Sequence, residues 1–331
     1  MATIVKSASS VRSWFAGLDR QDRGVVIAYL LIVGLIALGA LFVSPNFVSP
    51  TFLLQQLRQA SFLGIIAAGQ MAVILTGNID LSVSWTLNLA AVVATAIAAG
   101  QNQQLLPGVL AGLGIGLVVG LINGIGVAYL RIPSMVLTLG TNTVLKGIMV
   151  FYTGSAPQFQ KTPDILSSIA IEVLWNVIPI AVLVWAAVSI LQILVLHRST
   201  LGRKTYAVGN NEVAAYLSGI RTPRVLVGAF VLSGVLNALA GLLIAGNAGR
   251  SFNEMGEPFL LPAIAAVVIG GTSILGGSGK YIGTIAGVLI IRLLDSGLSV
   301  MHIPPAARSI IFGLVILLML FLYGRGEKSR V

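Results

Sequence analysis

The stretch "PGVLAGLGIGLVVGLINGIGVAY", residues 107–129, runs for 23 residues without a charge, and Asn123 is its only amide. Coiled as an α-helix at 1.5 Å per residue, it would extend about 35 Å. That is enough to cross a hydrocarbon layer of about 30 Å. It does not alternate polar with apolar, as a barrel strand would over about ten residues. The rest of the chain agrees: of 331 residues, 56% are hydrophobic and 9% charged, whereas soluble domains carry about 25% charge. So few charges cannot cover a water-facing surface, and the solvent for most of this chain is lipid. The expectation is an all-α polytopic membrane protein.

Working outward from that run, the sequence predicts about ten transmembrane helices, at 24–43, 60–76, 83–100, 107–129, 134–153, 173–196, 225–246, 259–275, 281–299 and 305–323. The eighth is the weakest and could be re-entrant. The first follows Lys6, Arg12, Arg20 and Arg23 and has no small-residue cleavage site before a soluble domain, so it reads as a retained anchor. The predicted organisation is an amino-terminal segment 1–23, a transmembrane domain 24–323 with one long loop at 198–224, and a tail 324–331. Val11, Trp14, Phe15 and Leu18 recur at helical spacing and predict a short interfacial helix.

Orientation follows from lysine and arginine in the loops. The amino-terminal segment, the Arg131 turn, the 197–224 loop, the Lys280 turn and the tail hold 14 of the 20 basic residues, and a ten-span count puts all five on one face. Both termini are therefore expected in the cytoplasm. The net charge of +10 needs no nucleic acid, because topology and anionic lipid account for it.

Soluble chemistry finds no foothold. "LGGSGKY" at 275–281 fails as a phosphate loop, since Ile274 stands where a glycine is required and Tyr281 where Ser or Thr is required. His197 and His302 lie far apart without a carboxylate cluster, and there is no cysteine. No catalytic residue, metal site or bound cofactor is expected on this chain.

Four polar or small-residue features remain. Gly108, Gly112, Gly116, Gly120 and Gly124 recur every four residues, a seam for close helix approach either within the chain or against a second copy. Ser134, Thr138, Asn142 and Lys146 share a slowly drifting helical face. Polar groups in a membrane face protein or a hydrated cavity, so this stripe reads either as a solute path or as hydrogen bonding between helices. Arg292 and Asp295, three residues apart, read as a structural pair. Asp80 and Ser82, in "TGNIDLSVSW" at 76–85, fall in the gap between the second and third spans. There, near the cytoplasmic face, Asp80 need not be buried. One of the two would cap the third helix, or serve an inner gate or ATPase contacts.

The loop "RSTLGRKTYAVGNNEVAAYLSGIRTPR" predicts a short helix capped by Asn210 or Asn211 and ended by Gly219, with Val213, Tyr216, Leu217 and Ile220 on one apolar face. Such a helix needs a partner surface, either protein or membrane.

Four stretches together resemble the permease subunits of ATP-binding-cassette sugar importers, the ribose permease group. They are "TGNIDLSVSW", "PSMVLTLGTNTVLKGIMVFYTG", "LGRKTYAVGNNEVAAYLSGI" and "LPAIAAVVIGGTSILGGSGKYIGTIAG", in family order across about residues 50–320. The resemblance implies a multi-pass type II importer fold in the bacterial inner membrane and a dimer with a second permease copy or homologue. It also implies cytoplasmic ATPase subunits that bind ATP and magnesium, and a periplasmic sugar-binding protein. By that match Glu212, Ala214, Ala215, Tyr216, Leu217 and Gly219 carry over as the coupling helix. The cargo it implies is a monosaccharide or related polyol. An amino acid, nucleoside or signalling furanose is the alternative within the family, and an ion-coupled secondary transporter the alternative outside it. The family's "GGIDLSVG" is altered here at Asn78 and Ser84.

Overall fold

The computed structural model describes residues 20–153, 160–175, 177–314 and 317. The expected interfacial helix before residue 20 and the tail 324–331 lie outside the described residues. Long helices dominate: α1 (Arg20–Phe42), α2 (Pro50–Ile74), α3 (Val83–Ala98), α4 (Leu105–Ala128), α5 (Ser134–Thr153), α6 (Asp164–Ile171) and α7 (Ile180–Arg198). There follow α8 (Thr200–Asn210), α9 (Glu212–Leu217), α10 (Thr222–Ala248), α11 (Leu260–Ile269), α12 (Tyr281–Val300) and a last helix, α13, described over 305–314.

Among the described residues, seven helices are long and apolar enough to cross a membrane: α1, α2, α4, α5, α7, α10 and α12. The others depart from the expected spans in an orderly way. The third, α3, has 16 residues and so about 24 Å of length. The eighth, α11, has 10 residues and reaches only about 15 Å, which fits the re-entrant reading. The expected sixth span begins seven residues late, because Val173–Leu174 and Ile178–Pro179 pair as an antiparallel hairpin before α7 starts. Tight pairing of so short a hairpin uses backbone groups that a helix would otherwise have claimed. A second two-residue ribbon joins Gln160–Lys161 to Arg250–Ser251.

The centre of the molecule is α2. Every residue from Ala60 to Ile74 is buried, and a helix apolar all round belongs in an interior. Ser49 starts it, accepting from Phe52 N at 3.3 Å, with Pro50 in the first turn. It is enclosed by α7, α10, α11 and α12. The indole of Trp185 on α7 lies over Gly64, where any larger residue would collide with it. By contrast, α1 leaves Leu30, Leu41 and Phe42 largely exposed, as expected of a helix facing lipid.

The glycine seam is internal. A Cβ on Gly108 or Gly112 would lie 2.5 or 2.9 Å from the carbonyls of Ala94 and Ala90 on α3, and one on Gly120 2.6 Å from Phe230 O on α10. Gly116 faces Gly234 O, and a Cβ on Gly124 would lie 2.8 Å from the Cα of Val227. Thus α4 packs backbone to backbone against α3 with one half of the seam and against α10 with the other.

Candidate functional site

After Ile74 the helix of α2 stops, and residues 75–82 run without regular structure to Val83. Sequence reading placed this gap at the basic face with Asp80 free to stay exposed. The structure corrects both points. Asp80 is 2% exposed, and its Oδ2 accepts from Ser233 Oγ at 2.8 Å. Ser233 is eleven residues along α10 from Thr222, hence about 16 Å above the end that carries the basic loop. The segment therefore climbs from that end to mid-depth, and α3 is short because it starts there. Unwound backbone at such depth is tolerated only when buried in protein or bordering a hydrated cavity.

Asp80 organises the climb. Its Oδ1 accepts from Ser82 N at 2.9 Å and Ser82 Oγ at 2.6 Å, just before the first turn of α3. Ser82, the residue before the helix, makes no side-chain cap bond, and Asp80 bonds Ser82 and not an N–H of α3, so neither of the two expected caps forms. Ser82 Oγ in turn accepts from Asn123 Nδ2 at 2.9 Å, and Asn123 Oδ1 accepts from Thr141 Oγ1 at 2.7 Å. Asn237 Nδ2 donates to Ser233 Oγ at 3.2 Å. Among the described residues no cation pairs with Asp80. The sequence signal for this cluster was the lone carboxylate between apolar runs; that Ser233 and Asn123 meet it needed the fold.

The stripe on α5 is brought to the same segment. Ser134 Oγ accepts from Ile79 N at 3.3 Å and Thr138 Oγ1 from Leu81 N at 2.9 Å. Asn142 Oδ1 accepts from Ser84 Oγ at 3.1 Å and Trp85 N at 3.3 Å. Three of the four stripe residues thus receive backbone donors that no helix satisfies. The fourth, Lys146, lies twelve residues beyond Ser134, about 18 Å higher. Its Nζ is 5.3 Å from the centre of the Trp85 ring, 3.6 Å from Glu257 Oε1 and 3.9 Å from Glu254 Oε1. These three charged side chains are each about half exposed in the single chain, at a depth where charges do not face lipid.

At the basic end, the 199–221 loop folds as two helices. Ser199 caps α8, accepting from Gly202 N at 3.1 Å. Of the two cap candidates for the second helix, Asn211 acts, accepting from Ala214 N at 2.9 Å. Gly219 takes φ +82°, Gly219 N donates to Tyr216 O and Ile220 N to Ala215 O, the paired bonds of a left-handed helix stop. Ala215 is buried beside Ala128, Val208 and Val225. Ala214, Val213, Tyr216 and Leu217 are exposed, so the helix shows an apolar face to solvent.

Two sets of contacts tie this loop to the unwound segment. Glu212 Oε1 receives Arg131 Nη1 at 2.5 Å and Thr222 Oγ1 at 3.3 Å, and Arg131 sits three residues before the stripe begins. On the other side, Gly277 N donates to Leu75 O at 3.0 Å, Asn210 Nδ2 to Gly277 O at 3.3 Å and Tyr206 Oη to Gly279 O at 2.7 Å. Burial raises the pKa of the Tyr206 phenol, which keeps it a donor. Elsewhere, the expected Arg292–Asp295 pair is present at 2.7 Å, and Arg308 joins it at 2.8 Å.

Residues 52–320 match the family described as "Branched-chain amino acid transport system / permease component". The chain is 35% identical to the ribose import permease protein RbsC of Bacillus subtilis over 82% of this chain and 84% of that protein. Against RbsC of Haemophilus influenzae the identity is 37%, over 80% and 82%. The autoinducer 2 import system permease protein LsrC of Yersinia enterocolitica is 38% identical, over 80% of this chain and 73% of its own length. No solved structure matches the chain.

Proposed function

The chain belongs to the transport-system permease family that its residues 52–320 match, and on that footing we propose that it is the membrane subunit of an ATP-driven importer of a monosaccharide or similar polyol. It works as a dimer of permeases in the bacterial inner membrane with both termini in the cytoplasm. ATP and magnesium are held by separate cytoplasmic ATPase subunits, and a periplasmic binding protein delivers the solute. The cargo reading leans on the ribose import relatives. A small signalling furanose is the second reading, favoured by the autoinducer 2 import relatives.

One observation carries the mechanism: the exposed helix α9 is linked through Glu212 and Arg131 to the helix whose side chains hold the unwound segment. Val213, Tyr216 and Leu217 dock in the ATPase, and Ala215 with the Gly219 stop fixes their presentation. ATP-driven closure then moves α9 and, through Arg131, the base of α5. Ser134, Thr138 and Asn142 let the 79–85 backbone exchange between two arrangements, while Lys146 with Glu254 and Glu257 faces the hydrated path. Asp80 and Ser82 form the inner turn that shifts with it. Such a shift is driven only if the ATPase binds the two arrangements with different affinity.

The test is reconstitution in liposomes. The chain with its ATPase and binding protein should import sugar only when ATP is supplied on the ATPase side, and the chain alone should neither hydrolyse ATP nor transport. Uptake driven by a proton gradient without any ATPase would defeat the proposal.

A further inference from the structure

A cavity of about 430 Å³ lies between α2, α11, α12 and α13, away from the unwound segment and the basic loop. Its walls are apolar, with Leu63, Phe259, Leu261, Ile291 and Phe312. Its polar side is Arg292, Asp295 and Arg308, in which one carboxylate serves two guanidinium groups, Oδ2 to Arg292 Nη1 and Oδ1 to Arg308 Nη1. Both Nε atoms are buried without a partner among the described residues. Glu257 also lines the cavity, but its carboxylate is paired with Lys146. Arg292, Asp295 and Arg308 alone carry one net positive charge, which Glu257, sharing Lys146 with Glu254, partly offsets across the cavity; the guanidinium groups keep donors that Asp295 does not use.

Depth narrows what could balance that charge. Asp295 and Arg292 are five and eight residues below Val300, the end of α12, and Arg308 is three residues from the start of α13, so the cluster lies within about 12 Å of the helix ends opposite the basic loop. Arginines at that level reach toward the headgroup zone while their stems stay among apolar groups. Guanidinium forks match phosphate oxygens in pairs.

We propose that this cavity is a binding site for an anionic phospholipid, its phosphate on Arg292 and Arg308 and an acyl chain along Leu261, Phe259 and Phe312. The site is independent of the cargo. A free inorganic phosphate shares the headgroup chemistry but has no use for the apolar walls, and a second copy of the chain would cover the cavity with protein.

The purified full chain in detergent, titrated with phosphatidylglycerol or phosphatidylcholine and followed by native mass spectrometry, tests this. Phosphatidylglycerol should be retained about tenfold better than phosphatidylcholine, the worth of a charge-assisted hydrogen bond. Arg308→Gln, which leaves a neutral pair, should remove the preference, and Asp295→Asn, which frees both guanidiniums, should strengthen it. The opposite signs matter, because a cluster that only staples α12 to α13 would make both variants worse alike. If Arg308→Gln does not fold, Arg308→Lys keeps the charge without the fork and should fall between. Equal retention of the two lipids, loss of preference in both variants, displacement of phosphatidylglycerol by millimolar inorganic phosphate, or dimers that form only without lipid would each overturn the assignment.

Discussion

Replacing Gly219 separates the conformation of α9 from its surface. Nothing lies within 4 Å of the position a Cβ would occupy there, and φ is +82°, so a side chain meets no clash and the whole cost is backbone. A left-handed conformation costs an ordinary residue about 1–2 kcal/mol, a β-branched one about 3 kcal/mol, and asparagine little. If the ATPase binds only the ordered stop, its affinity falls with the fraction of chains that hold it. Gly219→Asn should then be near wild type, Gly219→Ala weaker by about fivefold to thirtyfold, and Gly219→Val by about a hundredfold. Binding of the purified ATPase to each variant in nanodiscs, read with binding-protein-stimulated ATP hydrolysis, gives the series. Equal losses for all three would mean that the position is a contact and not a stop. No loss with valine would mean that α9 does not transmit.

Asp80→Ala strands three donors, Ser82 N, Ser82 Oγ and Ser233 Oγ, and should cost about 2 kcal/mol or more. Thermal unfolding in detergent checks it against Asp80→Asn, which keeps one acceptor and should lose less. Asn142→Leu removes the acceptor for Trp85 N and should lower transport while the complex still assembles; failure to assemble would mark a packing role alone. Gly116→Val places its side chain on the Gly234 carbonyl, and overpacking of this kind costs about 1–3 kcal/mol. Gly114→Val on the same helix, with open space around it, is the control and should melt with the wild type.

Periodic features were legible in the sequence because a helix turns spacing into a face. The glycines of α4 and the stripe of α5 each land on one surface, and Asn211 and Gly219 bound their helix because capping is local chemistry. What a one-dimensional pattern cannot express is depth. The six residues between the expected second and third spans looked like a surface turn, yet they climb to Ser233 and make α3 short, because α5 accepts the backbone N–H groups that a helix would otherwise satisfy and Ser233 on α10 holds the Asp80 carboxylate. Residues 173–179 are apolar enough to pass for the start of a span, and only their pairing with one another shows otherwise. Arg308 was assigned to a span and Asp295 to Arg292 alone; the three-way cluster depends on where α13 returns. The choice between an internal and an intermolecular seam was likewise open until α3 and α10 were found facing it.

That seam also assigns labour within the molecule. Along α4 the facing carbonyls of α3 and α10 stand where any Cβ would collide, so sliding one helix past another would drive ordinary side chains into backbone oxygen. The trio α3, α4 and α10 consequently behaves as a spine that can tilt as one piece but cannot shear. α5 meets that spine through Thr141 and Asn142, polar groups that exchange partners at low cost, and through Leu137, Leu145 and Met149, which pack among apolar residues of α3, α4 and α10. Under the importer reading proposed above, alternation is one helix regrasping a rigid neighbour, and the grip is the row of backbone amides from Ile79 to Trp85.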